Sequence, residues 1–130
     1  MVTLDTNVAV YALAATPKAD AAARALRRCS FLSVQVLNEY ANVGRRKRAD
    51  SWEVIADDLS ALREAVPLIL PIADSANREA TRIAARYQLS FYDALMLAVA
   101  LEGGARTIYS EDMHHDLVIE DRLRIVDPFR

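Results

Sequence analysis

The chain has 130 residues, 53% of them hydrophobic and 26% charged, a balance that builds one packed core and excludes a disordered chain. Sixteen basic and 18 acidic residues leave a net charge of −2, which excludes a protein that grips nucleic acid by its overall charge. No apolar run reaches the roughly 18 residues of a membrane span.

The opening residues Met1 to Asp5 lack the basic start of a secretion leader. The single cysteine, Cys29, cannot form an internal disulfide, which fits a reducing cytoplasm. No repeat, linker or low-complexity stretch divides the sequence, so residues 1–130 read as a single domain.

Val2-Thr3-Leu4 is short, apolar and β-prone, and predicts a first strand with Asp5 at its C-terminal end, placed to cap a following helix. Thr16-Pro17 opens a helix from Lys18 to Arg28. Phe31 to Ser33 is a second strand. A helix then runs from Val34 to about Lys47 and closes on Arg45, Arg46, Lys47 and Arg48. After Asp50-Ser51, the residues Trp52, Ile55, Leu59, Leu62 and Val66 fall on one stripe of an amphipathic helix that Pro67 ends. Leu68 to Ile72 is a third strand, with Pro71 at its end or on an edge.

Asp74-Ser75 opens a helix to about Tyr87, and Ser90 opens another. The interior of that second helix, Ala94 to Leu101, has no polar face and therefore belongs in the core. Gly103-Gly104 stops it. Arg106 to Tyr109 and Arg124 to Val126 are the fourth and fifth strands. Strands alternating with helices imply an α/β fold, with a central parallel sheet of four to five short strands covered by helices on both faces. Sites in such sheets form at the C-terminal ends of the strands.

Asp5 follows the first strand directly, and Asp112 follows the fourth within about three residues. Asp93 lies in the first turn of the buried helix, and Glu39 early in the helix after the second strand. Four carboxylates from distant parts of the chain can thus converge, and a fold keeps such charges together only with a compensating cation. Hard oxygen ligands select Mg²⁺ or Mn²⁺. Each acid also has a plainer role open to it. Asp5 can be only a helix cap, and Asp93 stands three residues after Ser90, the spacing of a capping box. Asp112 can be a turn residue and Glu39 a solvated helix residue, although Val36, Tyr40 and Val43 crowd its face.

Leu4-Asp5-Thr6-Asn7, Val36-Leu37-Asn38-Glu39-Tyr40, Ser90-Phe91-Tyr92-Asp93-Ala94 and Tyr109-Ser110-Glu111-Asp112-Met113, in that order, resemble the PIN domains. The likeness is greatest to the VapC toxins of bacterial toxin–antitoxin pairs, and it covers essentially the whole chain. The resemblance implies a three-layer α/β fold and a divalent-metal-dependent endoribonuclease. It assigns Asp5, Glu39 and Asp93 to the acidic core of the site and Asp112 to its fourth acid. Ser110, Thr6 and Asn7 match the supporting polar positions. It further implies an RNA substrate, an antitoxin protein as partner and a homodimer. Two departures stand out: Glu111 beside Asp112, where the two-residue spacing from Ser110 favours Asp112, and Asp116, where members of the family often have Gly.

Arg78, Arg82 and Arg86 form a stripe that reads as a solvated face before it reads as an RNA contact. Arg45 to Arg48 either grip RNA or complement the helix dipole, with equal claim. His114 and His115 read as ordinary loop residues, since adjacent side chains diverge. Two other functions compete. A catalytically silent PIN-like binding module would act through antitoxin or RNA contacts alone. A phosphotransfer enzyme with Asp5 as nucleophile lacks the second Asp, because Asn7 stands there.

Overall fold

The computed structural model describes residues 1–130. In chain order it has β1 (Val2–Leu4), α1 (Thr6–Ala12), α2 (Ala19–Arg28), β2 (Leu32–Ser33), α3 (Val34–Lys47) and α4 (Trp52–Ala65). These are followed by β3 (Ile69–Leu70), α5 (Asp74–Tyr87), α6 (Phe91–Glu102), β4 (Thr107–Tyr109), β5 (Val118–Ile119) and β6 (Leu123–Val126). Serines set three helix starts. The side chains of Ser33, Ser51 and Ser90 accept from the N–H groups of Gln35, Val54 and Asp93, satisfying donors that the first turn leaves free. Gln88, two residues before Ser90, closes α5 in the left-handed conformation at φ 53°.

The main sheet has the order β1-β4-β6-β5. β1, β4 and β6 run parallel, as expected of an α/β fold, whereas β5 pairs antiparallel with β6. β5 was not foreseen; its two residues follow a turn and carry too short a pattern to register as a strand. β2 and β3 form a separate parallel pair. That pair is tied to β1 by the Ser30 N–H donating to Val2 O at 2.8 Å and the Thr3 hydroxyl donating to Phe31 O at 2.7 Å.

Ala94 to Ala100 of α6 are all buried, as an all-apolar helix must be. α5 packs along α6 and α1 along α2. In α4, Ile55, Leu62 and Val66 are buried and Leu59 is half-buried, but Trp52 is 65% exposed. The first residue of that helix lies beyond the packed surface, and its ring carries the Arg45 guanidinium at 4.8 Å. No helix is long and apolar enough to cross a membrane.

The end of α6 meets the β2–β3 pair so closely that no side chain fits there. A Cβ on Gly103 would overlap Phe31 Cζ and stand 2.6 Å from Leu70 Cδ1. Gly104 is glycine for a different reason, its φ of +79°; a Cβ there would make only an ordinary contact with Met1 Sδ at 3.8 Å. Gly103→Ala should therefore destabilise the fold by about 1–3 kcal/mol through overpacking. Gly104→Ala should cost about 1–2 kcal/mol through backbone conformation alone. Urea unfolding of both variants checks this. Wild-type stability for Gly103→Ala would show that Phe31 and Leu70 can move aside.

Candidate active site

The register of the main sheet builds the centre of the site. Leu4 pairs with Tyr109, so Asp5 and Ser110, one residue further on, emerge side by side at the C-terminal edge. The Asp5 N–H donates to Tyr109 O at 2.8 Å and the Ser110 N–H to Val126 O at 3.0 Å, extending the ladder past the strands. Asp5 caps α1, its Oδ1 accepting from the Thr6 N–H at 2.7 Å. Its Oδ2 accepts from the Ser110 hydroxyl at 2.9 Å. The residue is 8% exposed. Burial pushes its pKa up to about 6, against the two hydrogen bonds and with the help of the Asp93 and Glu39 charges.

Glu39 reaches the same place from α3. Its Oε1 accepts from the Thr6 hydroxyl at 3.2 Å and from Gln35 Nε2 at 2.8 Å. Thr6 therefore braces two acids at once, one by its backbone and one by its side chain. Asp93 is half-buried in the first turn of α6, held through its own N–H donating to Ser90 Oγ at 3.3 Å.

Asp112 is the exposed member and accepts from Asn7 Nδ2. Its pKa is raised by desolvation and by the charges of Glu111 and Asp93, against Lys18 and Lys47. Glu111 turns the other way and accepts from Lys18 Nζ. Lys18 also lies 4.9 Å from the Tyr11 ring centroid and 5.1 Å from that of Phe129. The two neighbouring acids are thus separated by their partners, with Asp112 on the side of α1 and Asp93.

Sequence reasoning passed over Gln35. It is buried, and its Nε2 donates both to Glu39 and to the Tyr92 carbonyl at 3.1 Å, linking α3 to the first turn of α6. Both partners are acceptors, so the amide orientation follows from chemistry. The price is Gln35 Oε1, which is buried without a partner. The available signal was the four-residue spacing from Glu39, which puts both side chains on one helix face.

Asp5, Glu39, Asp93 and Asp112 offer hard carboxylate oxygens with no thiolate or imidazole among them, a donor set that fits Mg²⁺ or Mn²⁺. No three of the chain's His, Cys, Asp and Glu side chains stand as a ready-made metal cage. The fold instead brings the acids close enough for Asp93 and Glu39 to act on Asp5, and for Asp93 to act on Asp112.

The remaining features take their plainer roles. Arg78 pairs with Asp74, Arg82 with Glu79 and Glu120, and Arg86 with Glu120, so carboxylates neutralise that stripe. His115 Nδ1 accepts from the Asp127 N–H at 3.0 Å and braces the loop. Asp116 takes φ +67°, the conformation a glycine would adopt there, so the loop backbone does not need the Gly. Burial pushes the half-buried Cys29 thiol up to about 12, which leaves it inert near neutrality.

The family model of the PIN domain matches residues 2–119. No curated protein matches the chain. Among solved structures, it is similar to a toxin–antitoxin complex from Klebsiella pneumoniae, at 19% identity and a TM-score of 0.74 over 98% of each chain. It is also similar to VapC20 of Mycobacterium tuberculosis, named as a toxin that cleaves the sarcin-ricin loop. That likeness has 21% identity and a TM-score of 0.68 over 86% of this chain and 90% of that one. A third is VapBC2 of Rickettsia felis bound to a DNA fragment from its promoter, at 19% identity and a TM-score of 0.65 over 98% of this chain and 100% of that one.

The Asp5 shift has a measurable consequence. A buried acid with a raised pKa destabilises the fold when ionised. That cost is complete above pH 6, shrinks as the folded protein takes up a proton below it, and is gone below the ordinary value of 3.8. Asp5→Asn keeps a competent cap and removes the charge. It should stabilise the isolated chain by up to about 3 kcal/mol at pH 7.5, with the gain disappearing towards pH 4. Thermal melts across that range check it, and a gain independent of pH would rule out the ionised carboxylate as its source.

Proposed function

The chain belongs to the PIN-domain family, and on that premise we propose that it is a divalent-metal-dependent endoribonuclease, the toxin of a toxin–antitoxin pair, folded as one domain over residues 1–130. The observation that carries the reading is the convergence on Asp5. A carboxylate held out of water, with the charges of Glu39 and Asp93 raising its pKa further, is an arrangement that a cation relieves. The likeness to structures named as a toxin–antitoxin complex and as a sarcin-ricin loop cleaving toxin supports RNA as the class of substrate and an antitoxin protein as partner. We extend the same reading to a homodimer in the cytoplasm.

Asp5 and Asp93 would hold the cation, and Glu39 and Asp112 would complete its surroundings. When bound, Mg²⁺ or Mn²⁺ supplies Lewis acidity towards the scissile phosphate and makes water a better nucleophile near neutral pH. The protein residues fix where that happens. Thr6 and Ser110 hold the Asp5 carboxylate by both oxygens, so it cannot swing to another rotamer. Thr6 and Gln35 both bond Oε1 of Glu39, and Oε2 would be the oxygen left to a cation or to water. Asn7 orients Asp112. An acidic chain reaches RNA in this way because bound cations reverse the field at the acids.

Calorimetric titration of Mn²⁺ into the isolated protein tests the reading without a guess about the RNA. Saturable binding is expected, weakened at least tenfold in Asp93→Asn, whose fold circular dichroism would verify. Affinity should also fall as the pH drops through about 6, because a proton on Asp5 competes with the ion. Equal binding in both proteins, or none, would leave Asp93 as a helix-capping acid and favour the catalytically silent binding module.

A further inference from the structure

The basic end of α3 separates in the fold into two pairs with different surroundings. Arg45 donates to the Asp50 carbonyl at 2.8 Å and lies over Trp52. Arg48 pairs with Asp50 at 2.9 Å and lies 5.1 Å from the Tyr40 ring centroid. Both are folded back on the turn between α3 and α4. Arg46 and Lys47 are exposed and enter none of the chain's ion pairs. With Asn42 and Val43 they line a groove of about 190 Å³.

That groove continues the face of α3 that carries Glu39. Residues seven apart stand two turns along a helix, about 10 Å on and within about 20° around the axis, so Arg46 follows Glu39 in line. Asn42 and Val43 lie between them. Helical side chains also lean towards the N-terminus, which carries the Lys47 stem back along the helix in the direction of the acids. The Lys47 charge is felt at Asp112, where it opposes the rise of the carboxyl pKa. The contrast with α5 is informative. There the regularly spaced arginines are each matched to a carboxylate, whereas this pair is left unmatched beside a cluster of acids that any polyanion must approach.

We propose that the groove lined by Asn42, Val43, Arg46 and Lys47 is a subsite for the sugar–phosphate backbone of the RNA, holding a phosphate that neighbours the scissile one. The inference rests on the ribonuclease reading and adds the path of the strand, which runs from the acids along α3. Arg46 supplies a bidentate phosphate contact and Lys47 a point charge, with Asn42 as a further donor. Such contacts set affinity and register without reading sequence.

The experiment measures binding of a fluorescein-labelled, randomised single-stranded RNA to the Asp93→Asn protein, at a Mg²⁺ concentration that calorimetry shows to saturate that variant, by fluorescence anisotropy over a series of salt concentrations. Adding Arg46→Gln and Lys47→Gln should weaken binding at least tenfold. The slope of log affinity against log salt should become shallower by about 1.4, as expected for two lost contacts to a single strand. Adding Arg63→Gln and Arg78→Gln, which removes the same charge from α4 and α5, should change the affinity less than twofold. Exchanging the pair, Arg46→Lys with Lys47→Arg, should keep most of the binding. Equal losses from both double variants, no loss from either, or no RNA binding by the Asp93→Asn protein would each overturn the subsite. So would unchanged RNA binding with lost affinity for a Glu-rich peptide, which would assign the groove to a protein partner. Mn²⁺ calorimetry on the otherwise wild-type chain with Arg46→Gln and Lys47→Gln separates the two readings: retained metal binding leaves the nuclease reading standing even where the subsite falls.

Discussion

A carboxylate held in a nearly dry position is the constraint around which this structure is organised. Asp5 is buried at the edge of the main sheet, and what makes its charge tolerable is local: the Thr6 N–H on one oxygen and the Ser110 hydroxyl on the other. Both donors depend on the fold being right to within a residue. The Thr6 N–H is free to donate only because α1 begins there, and Ser110 stands opposite Asp5 only because β1 and β4 pair in the register that puts Leu4 beside Tyr109. A one-residue slip would turn the Ser110 side chain to the other face of the sheet and leave the acid half-satisfied.

From that point the arrangement spreads outward through shared partners. Thr6 bonds Asp5 by its backbone and Glu39 by its hydroxyl. Gln35 bonds Glu39 and the carbonyl of Tyr92, one residue before Asp93. Helices α1, α3 and α6 are linked through polar atoms as well as through their apolar faces, and the links all lie where the acids meet. The unpartnered Gln35 Oε1 shows that satisfying every atom was not the governing condition. Holding Glu39 and the start of α6 together was, and a strained or unsatisfied group is what physical reasoning expects beside a functional site.

Charge is distributed with the same economy. Counted over the whole chain the acids and bases nearly cancel, yet they do not cancel everywhere. Glu120, with a left-handed backbone, gathers Arg82, Arg86 and the Tyr87 hydroxyl and fastens the β5–β6 hairpin to α5. Lys18 holds Glu111 away from Asp112. The acids at the sheet edge and the cations at the end of α3 are left as local excesses, and local excess rather than net charge governs what a surface attracts.

Much of this was legible in the residues. Residue patterns and start and stop signals located five of the six helices and five of the six strands to within a few residues, because they report which face each element buries and where it ends, whereas α1 was signalled only by the capping position of Asp5. The order of Asp5, Glu39, Asp93 and Asp112 along the chain marked the acids, since a residue at the end of a strand or the start of a helix has its place set by the backbone around it. Three things were decided only in three dimensions. The separation of β2–β3 from the main sheet and the antiparallel β5 depend on pairing partners far apart in sequence. The opposite orientations of Glu111 and Asp112 depend on Lys18 and Asn7, which are roughly a hundred residues away. The division of the basic cluster into engaged and free pairs depends on where the α3–α4 turn places Asp50 and Trp52. Sequence fixes what a side chain can do and roughly where its backbone goes. Which partner reaches it is settled by tertiary packing, because hydrogen bonds and ion pairs act over a few ångströms and the chain brings those atoms together only once it has folded.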